Sequence, residues 1–73
     1  MTIDEFKKNI APHMKKGYVA MDNDCTYFWY NTKPMIDIEK EEWDYDDICS
    51  NLNYIFNIEP VKDWTKSLIE VGK

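Results

Sequence analysis

Seven carboxylates, Asp37, Glu39, Glu41, Glu42, Asp44, Asp46 and Asp47, fall within eleven consecutive residues, relieved only by Lys40 and punctuated by Trp43 and Tyr45. The whole chain has fourteen acids and nine bases, so its formal charge of −5 is concentrated in this window and the remainder is nearly neutral. Like charges held so close repel one another and cost stability. One reading is a solvated acidic loop between two strands. The other is an anionic surface for a basic partner, in which carboxylates along an extended segment imitate a row of phosphates and Trp43 and Tyr45 anchor the contact. Both aromatics equally suit a core that pins the loop.

Other reactive side chains are sparse. Triad chemistry needs a nucleophile, a base and an orienting acid, and the chain has one His, two Ser and two Cys with no nucleophile-elbow context. His13 sits beside Pro12 in an expected turn and reads as a solvated surface residue. Gly17 and Gly72 are isolated, so there is no phosphate-cradling loop. Asp22-Asn23-Asp24 lacks the alternate ligand spacing and distal Glu of a calcium loop and reads as a hairpin turn. Cys25 and Cys49 with a single His cannot complete a four-ligand zinc site, and two buried or half-buried free thiols are expected. Paired carboxylates leave a two-acid hydrolytic site open on composition, but a domain this small has little room for a substrate cleft. No enzymatic activity, cofactor or metal is expected.

The elements that would position the acids are legible in the spacing. Thr2 and Glu5 match a capping box, and Ile3, Phe6 and Ile10 recur on one side of a helix over residues 3 to about 10 that ends at Pro12. Gly17 is placed in the following turn, free to take a positive φ. From Tyr18 the period becomes two: residues 18 to 21, a turn at 22 to 24, and residues 26 to 30 form a hairpin. Both faces of its second strand are aromatic, with Phe28 and Tyr30 on one and Tyr27 and Trp29 on the other, so it should be central or covered on both sides. Residues 35 to 38 suit a short strand after Pro34. Alternation of Leu52, Tyr54, Phe56 and Ile58 suggests another. Val61, Trp64, Leu68 and Val71 recur at helical intervals behind a capping Asp63, which predicts a short C-terminal helix, with an edge strand over residues 67 to 71 as the alternative. The fold class is α+β: a small antiparallel sheet of three to four strands with a short helix at each end.

Length and composition bound the rest. At 73 residues the chain forms one domain over 1–73, burying about 60–65% of its extended surface. With 44% hydrophobic and 15% aromatic residues it has ample material for a core. No apolar run reaches the roughly 18–20 residues of a membrane span, and acids near the N-terminus argue against a signal peptide, so a cytoplasmic protein with no membrane partner is expected. All nine bases are Lys. Without the arginine fork, and with a net negative charge, direct nucleic-acid binding is disfavoured. Tyr27, Trp29 and Tyr30 offer a stacking platform for single strands as an alternative, short of the cation field that normally accompanies one. An Arg-free chain rich in Lys, Asn, Ile and Tyr also suits an AT-rich genome, such as that of a low-GC bacterium or its phage.

Gly17-Tyr18-Val19-Ala20-Met21-Asp22 running into Tyr27-Phe28-Trp29-Tyr30, then Lys33-Pro34, and finally Asp63-Trp64 with Ser67-Leu68-Ile69-Glu70-Val71, resembles small proteins encoded by phages and prophages of low-GC Gram-positive bacteria. The resemblance covers residues 3 to 34 and 60 to 71. Small acidic phage proteins of this kind include anti-CRISPR inhibitors, several of which look like DNA to the basic cleft of a Cas9-type nuclease. The resemblance thus implies an inhibitor of a host nucleic-acid-handling defence protein in the bacterial cytosol, with a basic surface such as that of a Cas9–guide RNA complex as its partner and residues 37 to 47 as the contact. The alternative is a phage accessory module that oligomerises, for instance as a homodimer through its aromatic sheet face.

Overall fold

The computed structural model describes residues 1–72. Helix α1 (Ile3–Asn9) starts at the expected capping box: the Glu5 N–H donates to Thr2 Oγ1 at 3.1 Å, and the Thr2 N–H donates to Glu5 Oε1 at 3.0 Å. The Thr2 N–H on that carboxylate, with a smaller contribution from the Thr2 side chain, holds the Glu5 carboxyl below its ordinary pKa. Pro12 diverts the chain into a 3-10 turn at Ala11–His13.

Six short strands follow: β1 (Gly17–Met21), β2 (Tyr27–Tyr30), β3 (Met35–Asp37), β4 (Glu42–Asp44), β5 (Cys49–Asn51) and β6 (Ile69–Val71). An antiparallel sheet in the order β5-β2-β1-β6 forms the body, and β3-β4 make a separate two-stranded sheet. The β1–β2 register pairs Tyr18 with Tyr30 and Met21 with Tyr27. Its turn closes with the Cys25 N–H on the Asp22 carbonyl at 3.0 Å, and Cys25 takes the left-handed conformation, at φ 70°.

β2 is central and covered on both faces, as its sequence requires. Tyr27 and Trp29 face a cluster formed with Phe6, Val19, Met21 and Leu52, over which α1 and the segment from 52 to 61 lie. Tyr30 packs on the opposite face with Ala20 and Trp43. Complete burial of a large apolar side chain stabilises a fold by about 1.5–3 kcal/mol. Phe6, Tyr27 and Val19 are fully buried in the first cluster and Tyr30 and Ala20 in the second, and its larger set of buried side chains makes the first the main core.

Four expectations need correction. The C-terminal helix is only a 3-10 turn, Trp64–Lys66, followed by edge strand β6. Asp63 does cap it, accepting from the Thr65 N–H at 3.0 Å. After one turn, however, the Ser67 hydroxyl donates to the carbonyls of Trp64 and Met21 while accepting from the Met21 N–H, which ties residue 67 to β1 and ends the helical path. The alternating stretch from Leu52 to Ile58 is a turn and an irregular segment, and the neighbouring strand is β5 instead. There Asn51 Oδ1 accepts from the Asn53 N–H at 2.8 Å, and the Leu52 carbonyl accepts from Ile55 and Phe56, so the chain bends. Gly17 serves close packing rather than a positive φ: a Cβ there would lie 2.4 Å from the Tyr30 carbonyl oxygen and 2.7 Å from the Trp29 indole nitrogen. Of the two cysteines, both free thiols, Cys49 is half-buried as expected but Cys25 is exposed.

Candidate functional site: an acidic hairpin

The acidic window is a hairpin rather than a loop. β3 and β4 pair Met35 with Asp44, Ile36 with Trp43 and Asp37 with Glu42. Between them the turn is closed by the Glu41 N–H on the Ile38 carbonyl at 3.3 Å and by the Lys40 N–H on Asp37 Oδ1 at 3.2 Å, with Glu41 in the left-handed region at φ 55°. The carboxylates therefore form not one phosphate-like row but three groups. Glu39 and Glu41 are at the tip, Asp37, Glu42 and Asp44 share one face by strand alternation, and Asp46 and Asp47 trail toward β5.

Trp43 holds this hairpin against the sheet. It is only 6% exposed, so of the two readings of this residue the core is the one realised, and it is removed from the contact set. Its indole Nε1–H donates to the Met21 carbonyl at 3.1 Å and the Trp64 carbonyl at 3.3 Å, and its ring meets Trp64 edge-on at 6.3 Å. The Trp43 N–H donates to Asp22 Oδ1 at 2.8 Å. With Trp43 turned inward, alternation sends Glu42 and Asp44 the other way. Tyr45 is exposed and packs against Tyr30 at 5.7 Å.

Glu39, Glu41, Glu42, Asp44, Asp46 and Asp47 are exposed, and Asp37 is half-buried. Some of these carboxylates have fixed donors: Asn23 Nδ2 donates to Glu41 Oε2 at 3.0 Å, Asn31 Nδ2 to Asp47 Oδ2 at 2.7 Å, and the Tyr45 N–H to Asp44 Oδ1 at 3.0 Å. These donors are neutral, so they orient the carboxylates without cancelling their charge. Asp37 and Glu42 stand directly opposite each other, a like-charge pairing that strands ordinarily avoid.

The fold adds residues that the sequence reading left outside the site. Asp22 and Asp24, read only as turn formers, border the same cleft as Glu41 and Glu42. Asp22 is buried, and loss of solvent raises its carboxyl pKa, with the Asp24 and Glu42 charges adding to the shift against the Trp43 N–H. Burial likewise pushes the Tyr30 phenol up, with Asp22 a further contributor. Apolar residues also surface here: Met35, Ile36, Ile38 and Ile48 are exposed, Met35 at 74%. In the sequence only Ile36 and Ile38 alternate with acids, Asp37 and Glu39.

A cleft of about 250 Å³ between hairpin and sheet is bordered by Asp22, Tyr30, Glu42 and Asp44. That is below the roughly 300–1,000 Å³ usual for small-molecule sites. Among the described residues no three His, Cys, Asp or Glu side chains are grouped to hold a metal ion. No helix among them is long and apolar enough to cross a membrane. The stacking platform is enclosed, because Tyr27, Trp29 and Tyr30 are all buried within the chain's own core. No protein family, curated protein or solved structure matches the chain.

Proposed function

We propose that the protein is a non-enzymatic, phage-type interaction protein that inhibits a host nucleic-acid-handling defence protein by occupying its basic surface, in the manner of DNA-mimicking anti-CRISPR proteins. One observation carries this reading: the hairpin that concentrates the negative charge is exposed on its acidic face and edged with exposed apolar residues. Charge steers a cationic partner and rejects anionic ones, while apolar contacts at the same place supply the burial that makes a complex last. The Arg-free composition, rich in Lys, Asn, Ile and Tyr, accords with the setting of a low-GC bacterium or its phage.

The test is cleavage of a target duplex by a guide-loaded Cas9-type nuclease. Adding the protein before DNA should block cleavage, and adding it after DNA should block it less. Asp44→Lys combined with Asp46→Lys should weaken inhibition by about tenfold or more, because both positions are exposed and like charges would then face the cleft. Raised salt should weaken it too. Full cleavage at every concentration and order of addition removes this nuclease as the target. Inhibition indifferent to both salt and charge reversal removes the acidic surface as its cause.

A further inference from the structure

The hairpin's two edges are unlike. On the β4 side, the Trp43 N–H donates to Asp22 Oδ1 at 2.8 Å and the Asn23 N–H donates to the Glu41 carbonyl at 3.2 Å, so that edge is stapled to the β1–β2 turn. On the β3 side, no strand other than β4 pairs among the described residues. The direction of the Trp43 N–H also fixes what β3 presents. Because that N–H points away from β3, the Ile36–Trp43 pair is the narrow, non-hydrogen-bonded kind, and the N–H and C=O of Ile36 point away from β4 in turn. Sheet edges are normally blunted by lysines, bulges or a covering segment. β3 reads Met-Ile-Asp, with Met35 and Ile36 exposed and Ile38 exposed just beyond.

The charge beside this edge selects its occupant. A strand laid along β3 would set one side chain beside Asp37, on the face that also carries Glu42 and Asp44, and the adjacent side chain beside Ile36 on the other face. A second copy of β3, laid antiparallel about the outward-facing Ile36, would set Asp37 opposite Met35 and diagonal to the other Asp37, and would bring two acidic hairpins together, which their shared charge disfavours. A strand alternating Lys or Arg with apolar residues would relieve the Asp37–Glu42 repulsion and cover Ile36. We infer that β3 is a docking edge for an extended, basic–apolar alternating segment of a partner protein, captured by strand addition. This rests on the proposal that the acidic hairpin is the contact surface, and it specifies the backbone geometry of that contact.

The probe is a short blocked peptide alternating Lys and Val, compared with an isomer that gathers its lysines in one half, by fluorescence anisotropy against the full chain. The alternating peptide should bind about tenfold more tightly. Ile36→Pro removes an outward donor without touching the inter-strand bonds of the hairpin, and should erase that preference. Should the proline disturb the hairpin, amide exchange on the unaltered chain decides: the Ile36 N–H should slow about tenfold when the alternating peptide is added. Equal binding of both isomers with unchanged Ile36 exchange overturns strand addition, and the surface proposal stands if that binding is still lost in the Asp44→Lys, Asp46→Lys variant. Failure of either peptide to bind at low salt overturns strand addition as well, leaving the nuclease assay to judge the surface. A chain that already doubles its mass in solution, with Ile36 protected before peptide is added, assigns the edge to a second copy and overturns the basic partner.

Discussion

On one face of the four-stranded sheet, Phe6, Val19 and Tyr27 are sealed from water beneath α1 and the segment from 52 to 61. On the other, Ala20 and Tyr30 are roofed by Trp43, a single indole carried on the acidic hairpin. The first face is closed by apolar area drawn from several elements. The second is a smaller cluster edged by half-buried Tyr18, Phe28 and Leu68, and Trp43 is fixed over it by its hydrogen bonds to the Met21 and Trp64 carbonyls and by the tie from its amide to Asp22. Stability and presentation of charge are thus divided between opposite sides of one sheet, and Trp43 is the point at which they meet.

Three substitutions would break or sharpen that contrast. Phe6→Ala should cost about 3–5 kcal/mol, because it opens a cavity in the main core. In a domain this small that is a large share of the total stability, and the loss should appear as an early urea transition followed by tryptophan fluorescence. Trp43→Phe keeps a ring on the second face but deletes the indole donor, and should cost about 1–2 kcal/mol. Its signature should be local: amides of β3 and β4 exchange faster while those of α1 hold their rates. Equal acceleration in α1 would mean that the faces are not separable.

Asp22→Asn should have the smallest effect, and its sign depends on pH. The Asp22 carboxyl has a folded-state pKa above its unfolded value, so the native chain holds the proton more tightly and stability falls as pH rises through that folded pKa. Asparagine still accepts from the Trp43 amide but carries no charge to bury beside Asp24 and Glu42. Thermal midpoints should therefore agree near pH 3, below the unfolded carboxylate range of about 4, and separate in favour of the variant on the way to about pH 7. A variant less stable than the parent at neutral pH would show that the ionised carboxylate strengthens the latch.

What the sequence disclosed follows from how local each signal is. The capping box at Thr2 and Glu5, the hairpin from Tyr18 to Tyr30 and the two-faced aromatic pattern of β2 rest on near neighbours, and all three formed as their spacing requires. The C-terminal segment misleads because Val61, Trp64, Leu68 and Val71 have helical intervals, yet Ser67 is bound to Met21, a contact 46 residues away. Leu52 to Ile58 misleads because alternation says nothing of an Asn51 side chain that bends the backbone. Within the acidic window the charge cluster was plain, but the burial of Trp43 beside a Tyr45 that stays exposed was not. Flanking acids suit either orientation, and only pairing with β3 and the position of Asp22 decide between them.

The Asp37–Glu42 pair makes dissolved electrolyte act on this molecule twice, in opposing senses. Counter-ions gathering around the two facing carboxylates quiet a repulsion that the folded hairpin must otherwise tolerate. The same ionic atmosphere would dull the pull on any cationic visitor. Conditions that firm the hairpin are thus the ones in which it attracts least, and a dilute medium leaves it at once most tense and most receptive.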